Sequence, residues 1–407
     1  MLLDKVGSYM EHNKKWAIVS LASIPLVMTL GNSMLIPVLP TIEKKLKISS
    51  FQVSMVITLY SIVAIILIPI AGYLSDRIGR KKVIIPSLII AGIGGLISGY
   101  AAWKMKDPYM MILIGRILQG VGAAGAAPVV MPLVGDMFKS EEEVSKELGV
   151  IETANTFGKV LSPILGSVLA GFIWYLPFFS IPVFTAISVI LMFFLVQTPD
   201  KREDPLPFKE FLKCIKGIFK KDGKWLYSIF VIGCILMFVL FGVLFYLSDM
   251  LESKHNIDGI KKGFILAIPL AALCLSSYIT GKKIKESKVL MKWITFGGTI
   301  LLGASVFAIS FSENIYFLIG TFVFCGIGIG VALPCLDALI TEGIEKEERG
   351  TISSVYSSMR FIGVAAGPPV FVLLMKASHQ VMFYSITGLC VIAAFIVLKE
   401  IKPDEIE

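Results

Sequence analysis

Gly72-Tyr73-Leu74-Ser75-Asp76-Arg77-Ile78-Gly79-Arg80-Lys81-Lys82 is a short, strongly basic turn between two apolar runs, near residues 51 to 75 and 83 to 103. Runs of that length suit helices that cross a hydrocarbon core roughly 30 Å thick, which takes about 20 residues each. Glycines fit a tight turn, and a basic cluster between two spans stays on the cytoplasmic side of a membrane. Topology accounts for Arg77, Arg80, Lys81 and Lys82 but not for Asp76 or for both Gly72 and Gly79. A lone carboxylate among cations can accept hydrogen bonds at a helix end, or pair with Arg77, Arg80 or a basic group on another helix.

The same pattern extends outward over the chain. Hydrophobic residues make up 56% and charged residues 17%, against roughly 45–50% and about 25% in soluble domains. Apolar runs separated by charged or turn-rich breaks predict helices near 15 to 40, 51 to 75, 83 to 103, 109 to 137, 145 to 172 and 175 to 196, then near 225 to 249, 262 to 282, 291 to 311, 314 to 340, 350 to 375 and 379 to 399. Only a helix or a closed barrel satisfies its backbone in lipid, and the period-2 alternation of a barrel is absent. The first run is too long for a cleavable signal peptide, and Asn32, Pro37 and Pro40 interrupt its end. The cysteines are scattered without Cys-x-x-Cys spacing and read as small packing residues, so no disulfide or metal framework is expected.

One long polar segment, Gln197 to Lys224, splits the chain, giving expected units 1–196, 197–224 and 225–407. In its middle, Phe208, Phe211, Leu212, Ile215 and Phe219 recur at helical spacing among lysines, a pattern for a helix on an anionic membrane surface, or else a solvated linker. Of the 38 basic residues, about 26 fall on one set of loops with the termini and about 9 on the other, which places both termini in the cytoplasm. The net charge of +8 is thereby a matter of topology, and a nucleic-acid partner is not expected.

Charged and polar residues inside the spans direct attention to function. Arg116, several residues into the fourth run, either faces a partner or a water-filled cavity, or snorkels to the outer interface. On the fifth run, Glu152, Asn155 and Lys159 share one helical face, where an acid and a base two turns apart can line a polar cavity. Glu152 is either a titrating proton carrier or the neutralising partner of Lys159. On the eleventh run Arg360 sits near the middle of the span, so each half supplies one central cation. Asn32, Asn155, Lys159 and Arg360 are the expected cavity residues. Because the two cations are central, an anionic or zwitterionic amphiphile is at least as compatible as a cation. Asp136, Asp249 and Asp337 lie near helix ends and read as caps or gate partners, and His12, His255 and His379 lie outside the spans.

At the opening loop the chain resembles the major facilitator superfamily, whose hallmark G-x-x-x-D-R-x-G-R-[KR]-[KR] it matches at every specified position. The resemblance implies an all-α polytopic membrane protein of two six-helix bundles related by pseudo-symmetry. It also implies a latch that controls opening on the cytoplasmic side, at Gly72, Asp76, Arg77, Gly79, Arg80 and Lys81. The run Arg116-Ile117-Leu118-Gln119-Gly120-Val121-Gly122-Ala123-Ala124 is similar to the fourth-helix motif R-x-x-Q-G-x-G-A-A, which implies a part for Arg116 and Gln119 in proton coupling. On the fifth helix, Gly149, Gly158, Ser162, Pro163, Gly166 and Ser167 resemble the antiporter signature G-x8-G-x3-G-P-x2-G-G, with serine at two glycine positions, and imply export. The second half keeps a basic turn at Gly281-Lys282-Lys283-Ile284-Lys285 without the aspartate.

The expectation is a multi-pass protein of a bacterial plasma membrane, working as a monomer that exchanges protons for a small amphipathic organic solute. A proton-coupled nutrient importer and a lipid or glycolipid translocase are the alternatives. No Gly-rich phosphate loop, metal cluster or Ser/His/Asp arrangement points to an enzyme, a cofactor or ATP-driven transport.

Overall fold

The computed structural model describes residues 2–138, 141–197, 213, 217, 223–284, 287–344 and 346–402. Every regular element among them is helical. The order is α1 (Leu2–Ser33), a 3-10 turn (Ile36–Val38), α2 (Leu39–Leu46), α3 (Ser50–Ile78), α4 (Arg80–Lys104), α5 (Tyr109–Met137), α6 (Glu141–Phe172) and α7 (Leu176–Leu195). After the central segment come α8 (Gly223–Ser253), α9 (Gly259–Lys283), α10 (Lys288–Ile309), α11 (Ile315–Gly343), α12 (Lys346–Ala377) and α13 (His379–Glu400). The first span is α1 continued through the 3-10 turn into α2, so it runs past the expected end at 40. Pro37 and Pro40 sit at the starts of the two short elements, where a missing N–H costs nothing. The surface helix expected around Phe208 to Phe219 lies outside the described residues, apart from Lys213 and Gly217.

Among the described residues, eleven helices are long and apolar enough to cross a membrane by length and composition. The twelfth, α6, is 32 residues long, but its own polar residues, among them Glu152, Asn155 and Lys159, dilute its apolarity. The outer surface agrees with lipid as solvent: Ile66, Phe194, Leu275 and Phe395 are at least 60% exposed on uncharged faces. Among the eleven, α8 is the most enclosed and α7 the least.

Small residues set the packing. Gly94 on α4 and Gly115 on α5 face each other's carbonyl oxygens so closely that a Cβ on either would collide. Gly298 on α10 and Gly328 on α11 do the same in the second half, at 2.6 and 2.7 Å. The third and fourth spans are thus mirrored by the ninth and tenth, as a pseudo-symmetric repeat requires.

Two seams join the halves. In one, α3 lies along α12, with Thr58 Oγ1 donating to the Ala365 carbonyl at 2.8 Å and Gly72 against Ser354. In the other, α6 lies along α9, where a Cβ on Gly263 would stand 2.5 Å from the Pro163 carbonyl. These seams pair the second span with the eleventh and the fifth with the eighth.

Candidate functional site

The basic turn is held by its own charges. Arg80 pairs with Asp76 one turn away, donates from Nη1 to Ser75 Oγ at 2.7 Å and from Nε to Asp136 Oδ2 on α5 at 3.1 Å. Asp136 is therefore a partner of the loop, one of the two roles its position near a helix end allowed. Lys81 reaches the C-terminal carbonyls of α7, Val196 at 2.6 Å and Phe193 at 3.0 Å, a favourable place for a cation. Gly79 ends α3 at φ +105°, a backbone angle that side-chain-bearing residues rarely adopt. Arg77 is exposed. Gly72 is placed against the second half, at Ser354 of α12.

Arg116 is completely buried, which excludes snorkelling to an interface. Its Nε donates to the Val56 carbonyl at 2.7 Å, its Nη2 to Asn32 Oδ1 at 2.7 Å, and its Nη1 to the Gly31 carbonyl at 3.0 Å and to Gln119 Oε1. The guanidinium also lies 4.6 Å from the centroid of the Tyr60 ring. One side chain therefore ties the last turn of α1 to the early turns of α3 and α5, in keeping with the planar five-donor fork of arginine. Asn32, expected in the substrate cavity, is engaged in this network. A guanidinium stays protonated, so the network can hold helices and set a field.

The antiporter-like residues divide by contact. Gly158 packs on Leu26 and Thr29 of α1, and Gly166 lies directly on the Met34 carbonyl just beyond it. Ser162 returns its hydroxyl to the Gly158 carbonyl at 2.6 Å, a bond within the helix that frees its face for packing. Pro163 and Ser167 meet Gly263 of α9. A Cβ on Gly149 would meet nothing within 4 Å, and the residue is exposed.

The centre holds four charges. On α6, Glu152 accepts from Asn155 Nδ2 at 3.2 and 3.3 Å, and Asn155 Oδ1 accepts from Thr29 Oγ1 at 2.5 Å. From the other half, Arg360 Nη1 meets Asp337 Oδ1 at 3.4 Å and its guanidinium stands 5.6 Å from the Tyr356 ring. Glu152, Lys159, Asp337 and Arg360 lie close enough for their charges to act on one another. Lys159 also lines a small pocket with Ser33, Ile36, Pro163, Phe241 and Leu266, a wall that is otherwise almost wholly apolar. The pair of central cations is thus matched by a pair of carboxylates. Asp337, read from its position near a helix end as a cap or gate partner, is instead the acid beside Arg360. Its place three residues inside the apolar stretch ending at Ile340 was the available signal.

At the end of the molecule opposite the basic turn is an ionic cluster that sequence reasoning did not single out. Glu252 at the end of α8 accepts from Lys44 of α2 and from Lys262 of α9, each at 2.7 Å. Lys262 is 2% exposed. Ser248, one turn earlier, donates to the Ile36 carbonyl at 3.1 Å. Lys44 and Ile36 belong to the first half, so this end is closed by bonds between the halves. The eighth run was expected to begin at 262, so Lys262 read as a flanking lysine, whereas the helix begins at Gly259 and encloses it.

Comparison with known proteins places this geometry. The model of the Major Facilitator Superfamily matches residues 21–368 and 291–406. The chain is 59% identical over 382 residues to the Bacillibactin exporter of Bacillus subtilis (strain 168), covering 94% of this chain and 95% of that protein. It is 25% identical over 403 residues to Multidrug resistance protein 2 of the same organism, covering 97% and 98%. Among solved structures, a bacterial homolog of the human lysosomal transporter Spinster, inward-facing and unoccupied, superposes with a TM-score of 0.77 at 15% identity, covering 96% of this chain and 97% of that one.

Proposed function

The chain belongs to the Major Facilitator Superfamily, and we propose that it is a secondary active exporter that moves bacillibactin, or a small molecule closely similar to it, out of a bacterial cell in exchange for protons. The observation that carries this reading is the 59% identity to the Bacillibactin exporter, spread over nearly the full length of both chains. A match of that extent takes in α6, α8, α9 and α12, the helices that surround the central charges. The weaker similarity to Multidrug resistance protein 2 favours the same direction of transport.

The working parts follow from the geometry. Units 1–196 and 225–407, linked by 197–224, rock about the centre, and the basic turn faces the cytoplasm together with both termini. The Asp76, Arg80 and Asp136 network stiffens the cytoplasmic end of the first unit. The Glu252 cluster and the Ser248 bond close the outer end, so the site faces inward, ready to load from the cytoplasm. Arg116, with Asn32 and Gln119, fixes α1, α3 and α5 as one body, so that motion is transmitted to α6 through Gly158 and Gly166. Glu152, beside Lys159, is the group that takes up and releases the proton.

Complementation tests this reading. A Bacillus subtilis strain lacking its bacillibactin exporter should retain bacillibactin inside the cell, and expression of this chain should return it to the medium. A protein that reaches the membrane and leaves the distribution unchanged would remove bacillibactin as the substrate. A rise in intracellular bacillibactin would reverse the assigned direction.

A further inference from the structure

Glu152 is tied to α1 through an amide. Its carboxylate accepts from Asn155 Nδ2 at 3.2 and 3.3 Å, and Asn155 Oδ1 accepts from Thr29 Oγ1 of α1 at 2.5 Å. Thr156, whose hydroxyl lies 3.5 Å from the same carboxylate, gives its hydrogen to the Glu152 carbonyl at 2.8 Å. An ionised carboxylate only accepts, so it fixes which end of the amide faces it and leaves the Thr29 hydroxyl as the donor at the far end. A protonated acid can donate instead. The amide then turns over, its Nδ2 donates to Thr29 Oγ1, and the threonine hydrogen passes to a carbonyl one turn back in α1, a bond of the kind that bends helices. The chain of bonds thus has two discrete arrangements, one for each charge of Glu152. Beyond Thr29, the end of α1 and the 3-10 turn hold Gly31 and Asn32 on Arg116, the Met34 carbonyl on Gly166 and the Ile36 carbonyl on Ser248 of α8. The last of these bonds joins the halves at the outer end.

We propose that Asn155 and Thr29 are positioning residues that report the charge of Glu152 to the end of α1, and that the ionised arrangement locks the outer closure. With Glu152 ionised, the chain of bonds holds α1 on α6 and keeps the Ile36 carbonyl under Ser248. Neutralisation reverses the chain, bends α1 at Thr29 and loosens the Ile36 bond. An exchanger must not change face while empty, and a lock that a proton opens meets that need. The ionisable groups around Glu152 are Lys159 on its own helix, Cys274 on α9, Asp337 on α11, and Tyr356 and Arg360 on α12. This inference deepens the transport reading above and rests on it for the role of Glu152, but it concerns a link between two helices and is testable without a solute.

The test is a mutant cycle read at the outer end of the full-length protein in right-side-out membrane vesicles. With the native cysteines replaced, Leu244→Cys reports on the central pocket from α8, off the helices that carry the relay. A membrane-impermeant maleimide is added from outside at neutral pH, with no solute present. Glutamine offers a donor and an acceptor, as the protonated acid does, so Glu152→Gln should raise the labelling rate several-fold. Thr29→Val should raise it to the same level, and Glu152→Gln added to Thr29→Val should change nothing further. Asn155→Leu breaks the relay at its other member and should behave as Thr29→Val does. Thr29→Ser keeps the hydroxyl, so it should label like the parent and respond fully to Glu152→Gln. An unchanged rate in Glu152→Gln would overturn the proposal. So would a Glu152→Gln effect of the same factor with and without the Thr29 hydroxyl, which is the result that simple loosening of the helix contact would give. Failure of the complementation assay with an intact cycle would reject bacillibactin and leave the relay standing, whereas complementation with independent effects in the cycle would reject the relay alone.

Discussion

Gly166 lies where the Met34 carbonyl occupies the space a side chain would need, whereas a Cβ on Gly149, in the same helix and the same motif, would meet nothing within 4 Å. The two glycines therefore give opposite results when a methyl group is added. Gly149→Ala gains helix propensity, up to about 1 kcal/mol. Gly166→Ala must part α6 from the end of α1, an overpacking cost of roughly 1–3 kcal/mol. Thermal unfolding of the detergent-solubilised variants should show Gly149→Ala unchanged or more stable and Gly166→Ala less stable. Equal shifts would mean that close packing is not what the second position requires. Sequence spacing marked both residues as small, yet it could not tell which one bears on a neighbour. Arg116 shows the same division. Its position inside an apolar run was visible, while its acceptors at Val56 and Gly31 lie 60 and 85 residues away along the chain.

At the scale of helices and turns, the two ends of the molecule are held in different ways. The basic turn draws most of its described contacts from its own half, whereas the Glu252 cluster bridges the halves. Glu252→Gln should loosen the closed outer end, because the buried ammonium of Lys262 loses its counter-charge. With the native cysteines replaced, Ser33→Cys reports access to the central pocket. A membrane-impermeant maleimide added from outside should label it several-fold faster in the Glu252→Gln background, and an unchanged rate would show that the cluster does not hold this end. Asp76→Asn should leave that labelling rate alone, since an exposed ion pair is worth about 0.2–1 kcal/mol. It should instead slow turnover at unchanged expression. The hallmark loop was fully legible because all its elements lie within eleven consecutive positions. The outer cluster was not, because Lys44 and Glu252 are 208 residues apart.

Across the whole molecule, charges from both halves, Glu152 and Lys159 from one and Asp337 and Arg360 from the other, meet near the centre. If Glu152 carries the proton, Glu152→Gln in reconstituted vesicles should abolish transport driven by a pH gradient and leave solute exchange across equal pH intact. Coupling retained in that variant would leave Glu152 as the neutralising partner of Lys159 and pass the proton to Asp337. By itself the sequence determined the all-helical class and the approximate places of the spans. Those features depend on stretches of about 20 residues, whose apolarity and self-satisfied backbone are local properties. Tertiary structure decided which charges meet. The sequence offered Glu152 as a partner for Lys159 and no acid for Arg360, until α11 brought Asp337 to it. Charges in a low-dielectric interior are governed by distance, and the distance between residues on different helices is fixed by packing, not by their separation along the chain.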